Sequence, residues 1–590
     1  MTPAPMTGEN WSDLGRRRLS QGHGAIAVVC FRKALALRPS EASELNNLGM
    51  SLKSSGDPAG GARSYRRSYA VDPSDVAPLN NLANALAADG DRTSACTILR
   101  EVLRRTPWFA ECHQNLGDHL RHLKHFDEAA SALRTALALK PDFELSHTSV
   151  AATALVLGDA VSAIAGYRRA LTLAPSAGIH SDLLFALSYA SSTTSDALFA
   201  EHRRWVARHA GGASPRPRLK VERDTRRDKL RVGYVSADLR DHPVARNLIG
   251  LIEAHDRRQY EVIFFPEVTG SDAITDRFRA LAAGWHPTQG LADDTVAEII
   301  RRDRIDILVF VAGHTGMNRI TLAAHGAAPV QVSIYAPTTT GLSQVDAWLT
   351  DPILSPDGST ERFVERLIRL PCLFLHQPPT NAPRPSARHG NVVFASFNNP
   401  AKHTSRVYRL WARILSATPG SRLRLKYRGV YQTPSLRRRI VDIFDRQGVG
   451  ADRLEFVIAM DSRDEHLAGL SEVDVALDPF PFNGCNTTFE ALWMGVPVVT
   501  RAGDRFLSRM SASFLAQIGL TEMIAHDDDD YVAVATTLAV DSEKRAALRL
   551  HLRERVAASR LCDPVAHARS VEGAYLKLWR DKVLAVGGAS

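Results

Sequence analysis

Two short segments of the sequence combine residue types that bind phosphate groups. Residues 398–402 (NNPAK) follow the apolar run 391–397, and residues 483–488 (NGCNTT) follow the run 473–478 and lead into a helix predicted to begin near Phe489. Glycine, asparagine and threonine at the start of a helix offer N–H groups and hydroxyls to an anion, and the helix dipole adds to their effect. A lysine on a facing loop would supply a full positive charge. We therefore predict a diphosphate site made of Asn398, Asn399, Lys402, Asn483, Gly484, Cys485, Asn486, Thr487 and Thr488.

These segments lie where short apolar strands alternate with amphipathic helices, the latter near residues 272–283 and 293–303. The predicted strands cover residues 230–238, 260–265, 305–313, 391–397, 422–427, 453–458, 473–478 and 497–500. Continuous apolar strands of this kind are typical of parallel sheets with helices on both faces. We expect two doubly wound, Rossmann-like α/β lobes in series, joined around residues 360–390. Ligands should bind in the cleft outside the carboxyl ends of the strands.

Histidines and cysteines outside these loops are weaker candidates. His314, in the segment AGHTG, is predicted to end a strand facing the same cleft, where it makes either a substrate contact or a structural hydrogen bond. A second group lies in a helical region and consists of Cys112, His113, His119, His122 and His125. Because no carboxylate joins it and only His119 and His122 share a helical face, we expect no metal there. The six cysteines form no C-x-x-C pair, which argues against a zinc ribbon and a disulfide framework.

The first third of the sequence is an internal repeat with a period of 34 residues, marked by Pro39, Pro73, Pro107, Pro141 and Pro175. At a second phase a small residue follows a large apolar one, as in Leu48-Gly49, which would let a second helix approach closely. The position expected to end the first helix of each repeat holds Gly22, Gly56, Gly90, Lys124 and Gly158. This pattern is typical of tetratricopeptide repeats, each a pair of antiparallel helices. We predict five repeats over residues 6–175, stacked into an all-α superhelix.

The concave groove of such a superhelix is expected to bind a protein or peptide partner, unless the repeats serve only to dimerise or scaffold. One polar residue per repeat precedes the small-residue pair, at Asp13, Asn47, Asn81, Asn115 and Ser149. The amides of Asn47, Asn81 and Asn115 could form a ladder that grips an extended peptide backbone. Equally, these side chains could cap the neighbouring repeat. Both interpretations stay open at this point.

Residues 177–210 are apolar at helical spacing and are predicted to cap the repeats. Residues 216–229 carry seven basic and three acidic residues, a net +4 within a whole-chain net charge of +9. No aromatic residues are interleaved for base stacking, so we interpret the run as a solvated connector and expect no nucleic-acid partner. The N-terminus lacks a signal-peptide pattern and no apolar run approaches the length of a membrane span. We therefore expect a cytoplasmic protein without membrane contact.

Four motifs resemble those of the protein O-GlcNAc transferases, in which tetratricopeptide repeats precede a two-lobed glycosyltransferase of the GT-B type. They are RVGYVSAD at 231–238 with the following His242-Pro243, FNN at 397–399 with Lys402, RDEH at 463–466, and DPFPFNG at 478–484 with TTFEALWMGVPVVT at 487–500. The resemblance covers nearly the whole chain. It assigns residues 6–175 to five repeats, 176–228 to capping helices and a basic linker, 229–385 to an acceptor-side lobe, and 386–590 to a donor-binding lobe with a C-terminal helix.

The resemblance implies a metal-independent, inverting transfer of a sugar from a uridine diphosphate donor to Ser or Thr hydroxyls of proteins, with no further cofactor. It implies that Lys402 stabilises the departing diphosphate and that Glu490 holds the ribose. Arg463 and His466 would border the nucleoside. His242 matches a histidine near the acceptor hydroxyl that could act as the base, although a donor phosphate oxygen or a water chain are alternatives.

Two segments depart from the pattern of the family. Cys485-Asn486 replaces the usual His-Thr or Gly-Thr, and residues 334–341 (IYAPTTTG) replace the more usual WLGYPGTTG. Both segments are expected in the cleft, so N-acetylglucosamine is the first choice of donor sugar and another hexose is an alternative. A related enzyme with an Asn acceptor and a repeat-protein adaptor without turnover also stay open, and so does a homo-oligomeric state.

Overall fold

The computed structural model describes residues 7–211, 228–268, 270–458 and 462–587, with side chains described up to residue 584. Most of the predicted basic connector, including Arg216, Arg218, Lys220, Arg223, Arg226 and Arg227, lies outside these ranges. The chain forms two compact units. The first contains residues up to Thr153 together with Thr172–Ala174, and the second contains Ala154–Leu171 and everything from Pro175 onwards. Within the described ranges, no helix is both long and apolar enough to cross a membrane.

The first unit is built from helix-turn-helix pairs, as the repeat pattern predicts. Its helices are α1 (Gly8–Ser20), α2 (Gly24–Leu37), α3 (Ala42–Ser54), α4 (Pro58–Val71), α5 (Ala77–Ala88), α6 (Arg92–Arg105), α7 (Ala110–His122) and α8 (Phe126–Leu139), and α9 (Glu144–Val156) and α10 (Ala160–Leu173) span the boundary with the second unit. Each predicted turn position has a positive φ, including Lys124 at 67°. A Cβ atom on Gly49 would lie 2.5 Å from the Tyr65 ring, which confirms that a small residue is required for the close approach of α3 and α4.

Helices α11 (Ala177–Tyr189) and α12 (Ser195–His209) belong to the second unit. The Trp205 indole N–H donates to the Ala177 carbonyl at 3.0 Å, which ties the two helices together. His202 Nε2 on α12 contacts the Thr338 hydroxyl at 2.9 Å in the following α/β part. The Arg208 side chain of α12 also donates to the Leu171 carbonyl of α10, at 3.3 Å. The assignment of this pair as a cap for the repeats stays a prediction, and its packing on the α/β part of the second unit is an addition to it.

The first lobe contains a parallel sheet of seven strands in the order β3-β2-β1-β4-β5-β6-β7. Its elements are β1 (Leu230–Ser236), α13 (Pro243–Ala254), β2 (Tyr260–Pro266), α14 (Ala273–Ala280), β3 (Gly284–Trp285), α15 (Asp293–Arg302), β4 (Ile307–Val311), β5 (Val330–Ile334), β6 (Ala347–Thr350) and β7 (Arg366–Arg369). Strands β3, β5, β6 and β7 were not predicted from the sequence, because they are short or carry polar residues. In β5, Gln331 interrupts the apolar pattern but is buried. Its burial is tolerated because its Nε2 donates to the carbonyls of Ala323 and Gln344.

The second lobe contains a parallel sheet of six strands in the order β10-β9-β8-β11-β12-β13. Its elements are β8 (Val393–Ser396), α16 (Ser405–Ala417), β9 (Arg422–Lys426), α17 (Pro434–Asp445), β10 (Leu454–Val457), α18 (Arg463–Leu470), β11 (Val475–Leu477), α19 (Asn486–Trp493), β12 (Val498–Arg501), α20 (Met510–Gln517), β13 (Ile524–Ala525), α21 (Asp528–Val540) and α22 (Ser542–Ala557). The sequence-based sheet ended at 497–500, so the two-residue strand β13 is an addition. Helix α19 begins at Asn486 rather than near Phe489.

The last helix, α23 (Pro564–Gly587), packs on the first lobe although it follows the second in the chain. Glu572 lies 3.0 Å from His255 Nδ1, and the Tyr575 hydroxyl lies 3.3 Å from that of Tyr234 in β1. Assignment of this helix to the second lobe is therefore corrected. It is the element that returns the chain to the first sheet.

Candidate active site

The two segments predicted to bind phosphate meet at the carboxyl ends of two central strands of the second sheet. They follow β8 and β11, which are neighbours at the point where the strand order reverses. Loops at the carboxyl ends of two such strands diverge and leave a crevice between them. The equivalent reversal in the first sheet lies between β1 and β4, whose following loops carry His242 and His314.

Asp478, at the end of β11, fixes the loop that precedes α19. One oxygen of its buried carboxylate accepts from the Gly484 backbone N–H at 2.6 Å, and the other accepts from the Thr500 hydroxyl at 2.7 Å. Burial raises the pKa of Asp478 to about 6, against the lowering effect of these hydrogen bonds and of Lys402. Asp478 was not predicted from the sequence as a site residue, although it stands in the motif DPFPFNG.

The predicted residues at the start of α19 divide into two groups. The Asn486, Thr487 and Thr488 backbone N–H groups lie in the first turn, where no helical carbonyl precedes them. The Gly484 N–H is instead used by Asp478. Asn483 is fully buried, and its side chain donates to the Pro479 carbonyl at 2.9 Å. Neither Gly484 nor the Asn483 side chain therefore presents a donor to the cleft as predicted.

Side chains join the start of α19 to the facing loop and to the first lobe. The Thr487 hydroxyl donates to Asn398 Oδ1 at 2.9 Å, which brings the two predicted segments together. The Thr488 hydroxyl shares a hydrogen bond of 2.7 Å with Ser511. Asn486 Nδ2 donates to the Pro243 carbonyl of the first lobe at 3.4 Å. The start of this helix is therefore placed between the lobes.

Lys402 extends from the facing loop to the same place. Asn399 begins a single 3₁₀ turn, Pro400–Lys402, by accepting from the Ala401 N–H at 3.1 Å. The Lys402 ammonium donates to the Asn483 carbonyl at 2.5 Å and lies 4.3 Å from the centre of the Phe482 ring. Burial lowers the pKa of Lys402 to about 8, although Asp478 and Cys485 raise it. A partly desolvated ammonium beside a helix start is well placed to receive a diphosphate.

Glu490 lies one turn further along α19 and is surrounded by positively charged and polar groups. Arg463 Nε lies 3.4 Å from its Oε1, and His466 Nε2 lies 3.2 Å from its Oε2. Lys426 approaches His466 Nδ1 at 2.8 Å and can only donate, so the imidazole proton is on Nε2, facing Glu490. Burial raises the pKa of Glu490. His466 and the neighbouring arginines lower the pKa by more than burial raises it, so it lies below its ordinary value. An ionised carboxylate of this kind can bind the paired hydroxyls of a ribose.

His242 is the N-cap residue of α13 in the first lobe and is about one-third exposed. Its Nδ1 accepts a hydrogen bond from the Val244 N–H at 3.3 Å and lies 3.3 Å from Asp238 Oδ1. Burial and neighbouring arginines lower the pKa of His242, while Asp238 raises it. The ring is therefore neutral near pH 7 and can accept a proton. Asp238, which was not selected from the sequence, lies beside a ring that could act as a base.

His314 does not contact the cleft in the way that a substrate ligand would. It is buried, its Nε2 lies 2.9 Å from the Thr340 carbonyl, and its Nδ1 lies 3.2 Å from the Ser181 hydroxyl. Burial lowers the pKa of His314 to about 3. Both ring nitrogens have protein partners, so of the two interpretations the structure supports the structural hydrogen bond.

The two segments that depart from the family pattern have different environments. Residues 334–341 are buried, and Glu365 holds them by accepting from the Thr339 hydroxyl and from the Thr340 N–H, both at 2.6 Å. Cys485 is partly exposed, and Asn247 Nδ2 of the first lobe lies 4.0 Å from its sulfur. Burial raises the pKa of the Cys485 thiol to about 12, so it is neutral. Of the two departures, only Cys485-Asn486 has partly exposed side chains.

In the repeats, two of the predicted ladder residues bond to the preceding repeat. Asn81 Nδ2 donates to Asn46 Oδ1 at 3.0 Å, and Asn115 Nδ2 donates to Asn80 Oδ1 at 2.9 Å. Asn47 holds the equivalent position and is partly buried. The carbonyl oxygens of these amides keep acceptor capacity, so both of the predicted roles are compatible with the geometry.

The histidines of the fourth repeat have separate partners. His113 contacts the Pro107 carbonyl at 2.9 Å, His119 contacts Asn84 at 3.1 Å, and His122 contacts the Asp118 carbonyl at 2.8 Å. In the part of the chain that the structure describes, no group of three or more His, Cys, Asp and Glu side chains could hold a metal ion.

Comparison with known proteins gives matches along most of the chain. The model of the glycosyl transferase family 41 matches residues 174–377 and 385–571, and tetratricopeptide repeat models match residues 79–106 and 110–143. The first of these matches begins just before α11, in agreement with the packing of α11 and α12 on the α/β part.

Two relatives and one solved structure are similar to this chain. The probable UDP-N-acetylglucosamine–peptide N-acetylglucosaminyltransferase SPINDLY of Petunia hybrida is 36% identical over 407 residues, which are 67% of this chain and 44% of the relative. The SEC protein of Arabidopsis thaliana, with the same probable activity in its name, is 30% identical over 61% of this chain and 38% of its own length. The chain thus spans less than half the length of these relatives. The solved structure of a mutant O-GlcNAc transferase of Thermobaculum terrenum is 36% identical, with a TM-score of 0.81 over 86% of this chain and 98% of that one.

Proposed function

The chain belongs to the glycosyl transferase family 41, and we propose that it transfers a sugar, N-acetylglucosamine in the first instance, from a uridine diphosphate donor to Ser or Thr side chains of proteins. The observation that carries this proposal is the convergence of Lys402, Asn398 and the start of α19 on one point between the lobes. Positive charge and N–H groups gathered there suit a diphosphate. A UDP-sugar is then the co-substrate, and the similarity to a probable UDP-N-acetylglucosamine–peptide N-acetylglucosaminyltransferase and to an O-GlcNAc transferase supports the choice of sugar.

In this proposal the second lobe stabilises the leaving group. The acceptor oxygen bonds to the anomeric carbon while the bond from that carbon to the diphosphate breaks, so the configuration inverts. Lys402 and the first N–H groups of α19 receive the charge that develops on the diphosphate. Fixed donors aimed at developing charge often supply the largest part of a rate enhancement. Because protein groups supply this positive charge, we propose that no metal ion is required.

The first lobe supplies the candidate base. His242 is neutral near pH 7, and its Nδ1 accepts from the Val244 N–H in the structure. To take the acceptor proton on Nε2, the ring must change to the tautomer in which Nδ1–H exchanges the Val244 contact for a donation to Asp238, which lies 3.3 Å away. A donor phosphate oxygen is the alternative acceptor of that proton. Glu490, with Arg463 and His466 beside it, would bind the nucleoside end of the donor.

We further propose that the groove of the repeats holds the protein substrate. The tetratricopeptide matches and the asparagines at one repeat phase support this. A different hexose is a second candidate donor, because Cys485 and Asn247 border the cleft at a position where the family pattern differs.

The proposal is tested by incubating the purified chain with UDP-, GDP- and dTDP-hexoses and a protein lysate. Release of nucleoside diphosphate and the modified residues are measured, the latter by mass spectrometry. We expect turnover with UDP-N-acetylglucosamine and modification of Ser or Thr. Lys402→Ala should lower the rate by about 100-fold or more, as for other groups that stabilise developing charge. Lys544→Ala, which removes an exposed lysine paired with Glu522, is the control. Absence of turnover with every donor would support an adaptor instead, and modification of Asn would change the acceptor class.

A further inference from the structure

Arg246 is a positively charged residue of the first lobe that reaches the donor side of the cleft. It lies on α13, one helical turn after His242. Its Nη1 is 3.8 Å from Glu490 Oε1 on α19, and its Nη2 is 3.1 Å from Asp241 Oδ1. The side chain is 30% exposed and its Asp241 partner is 65% exposed. Arg246 is therefore held loosely and is accessible from the cleft.

Glu490 does not need Arg246 for neutralisation. Arg463 approaches the same carboxylate oxygen more closely, at 3.4 Å, and His466 lies 3.2 Å from the other oxygen. Two guanidinium groups from opposite lobes thus share one carboxylate oxygen. Because Arg463 and His466 already neutralise Glu490, Arg246 can exchange its 3.8 Å contact for another anion, and its planar fork suits a phosphate.

The position of Arg246 identifies which anion that is. Glu490 lies four residues after Asn486, so about 6 Å of helix separates the start of α19 from the carboxylate. A nucleoside diphosphate with its ribose at Glu490 and its phosphates at the start of α19 would pass along this turn. The Asn486 side chain at the first end contacts the Pro243 carbonyl of α13, and Arg246 at the second end contacts Glu490. Helix α13 therefore runs beside the whole path.

We propose that Arg246 binds the diphosphate of the donor, so that the first lobe contributes directly to nucleotide binding. This inference rests on the proposed function, since it takes a nucleoside diphosphate as the ligand of the cleft. When the donor binds, the guanidinium exchanges part of its contact with Glu490 for the phosphate oxygens. The lobe that carries the candidate base is thereby drawn to the lobe that carries the donor.

The test compares UDP with uridine by titration calorimetry on the full chain. Wild type, Arg246→Gln and Arg277→Gln are measured at low and at physiological ionic strength. Arg277 on α14 is the matched control, because it pairs with Glu253, which lies at the opposite end of α13 from His242. We expect Arg246→Gln to weaken UDP binding about 10-fold or more, as for a lost charge-assisted hydrogen bond, and to leave uridine binding within about twofold of wild type. UDP binding by Arg246→Gln should also depend less on ionic strength than UDP binding by the wild type, because one contact with the phosphates is lost.

Three outcomes would overturn the inference. Equal weakening of UDP and uridine would mean that Arg246 acts only through Glu490, and a Glu490→Gln background would then abolish the effect. Unchanged UDP binding in Arg246→Gln would mean that the residue does not contact the donor. An effect of the same size in Arg277→Gln would mean that the loss of one positive charge weakens UDP binding, and not the loss of a contact between Arg246 and the phosphates. If the wild type bound no UDP, the proposed donor would fail first, and the same comparison with GDP and guanosine would decide the role of Arg246.

Discussion

Lys402 should make nucleotide binding depend on pH. Burial lowers its pKa to about 8, so the ammonium is charged at pH 7 and loses its proton as the pH rises above 8. Because a bound diphosphate favours the charged form, we expect the UDP dissociation constant to be constant below pH 7.5 and to rise up to about tenfold per pH unit above 8. Calorimetry between pH 6.5 and 9 measures this.

Lys402→Gln serves as the comparison for that profile. The variant should bind UDP more weakly at pH 7 and show no rise between pH 8 and 9, whereas Lys544→Gln should keep the wild-type profile. A rise of the same steepness in Lys402→Gln would assign the ionisation to another group.

Among single residues, the sequence identified the charged residues of the candidate site, but not all of the residues that hold the site in place. Lys402 and Glu490 were selected from the sequence, and the structure places both in one cleft. Asp478 and Asp238 were not, because an aspartate at the end of a buried strand has no spacing that distinguishes it. Only the fold shows that one of them holds the Gly484 N–H and that the other lies beside His242.

At the scale of elements, α11 supports Lys402 through an aromatic cluster. The Tyr189 ring stacks on Phe482 with centres 4.9 Å apart, and Phe482 lies under the Lys402 ammonium at 4.3 Å. Phe482→Leu should weaken UDP binding by about threefold to tenfold, because a partly exposed cation–π contact contributes about 1 kcal/mol. Tyr189→Leu should give a smaller effect of the same sign.

The control for this prediction is Phe199→Leu on α12, whose ring contacts Arg362 at 4.5 Å and not Lys402. Thermal unfolding of all three variants separates packing from positioning. Similar losses of UDP affinity in Phe199→Leu and Phe482→Leu would show that the helix pair acts through general stability.

The asparagines of the repeats can be tested against their own partners. Replacement of Asn47, Asn81 and Asn115 by Ala should reduce modification of protein substrates and leave UDP binding unchanged, if the amides hold an extended peptide. The same replacement also removes the hydrogen bonds to Asn46 and Asn80. The double variant Asn46→Ala/Asn80→Ala removes those bonds and keeps the ladder side chains, so it is the matched control.

Initial rates with a protein substrate, and unfolding of the repeats by circular dichroism, measure the outcome. We expect the triple variant alone to lose protein modification, while both variants lose about 1 kcal/mol of stability per removed hydrogen bond. Equal losses of activity in the two variants would leave the amides with the repeat-capping role.

For the whole molecule, buried histidines predict acid sensitivity of the second unit. Burial lowers the pKa of His202 to about 4 and that of His314 to about 3, against an ordinary value of 6.5. Between these values the unfolded chain binds protons that the folded chain does not, so stability is complete above pH 6.5 and is lost as the pH falls towards 4. Each histidine contributes a slope of up to about 1.4 kcal/mol per pH unit.

Urea unfolding followed by tryptophan fluorescence at pH 7, 6 and 5 checks this expectation. His202→Asn should show a shallower loss of stability than the wild type, because one proton-binding site of the unfolded state is removed. His551→Asn, at an exposed position, should match the wild type. A wild-type stability that does not change between pH 7 and 5 would contradict the prediction.

Much of the architecture followed from local pattern. The 34-residue period predicted the helix pairs, since each repeat needs a small residue at positions such as Gly49 and a left-handed residue at its turn. Continuous apolar strands predicted the two parallel sheets. The missed strands are two to five residues long or contain buried polar residues such as Gln331, whose partners are distant in the sequence.

The sequence by itself determined the repeats, the two-lobed α/β class and the residue types that suit a diphosphate, because these depend on periodicity and on chemistry within a few residues. Only the tertiary structure decided which elements pack together. It placed α11, α12 and α23 against the first lobe or the cleft, gave both nitrogens of His314 protein partners, and brought Arg246 to Glu490. The physical reason is that burial and pairing between residues more than one hundred positions apart depend on the packed fold, which no local pattern encodes.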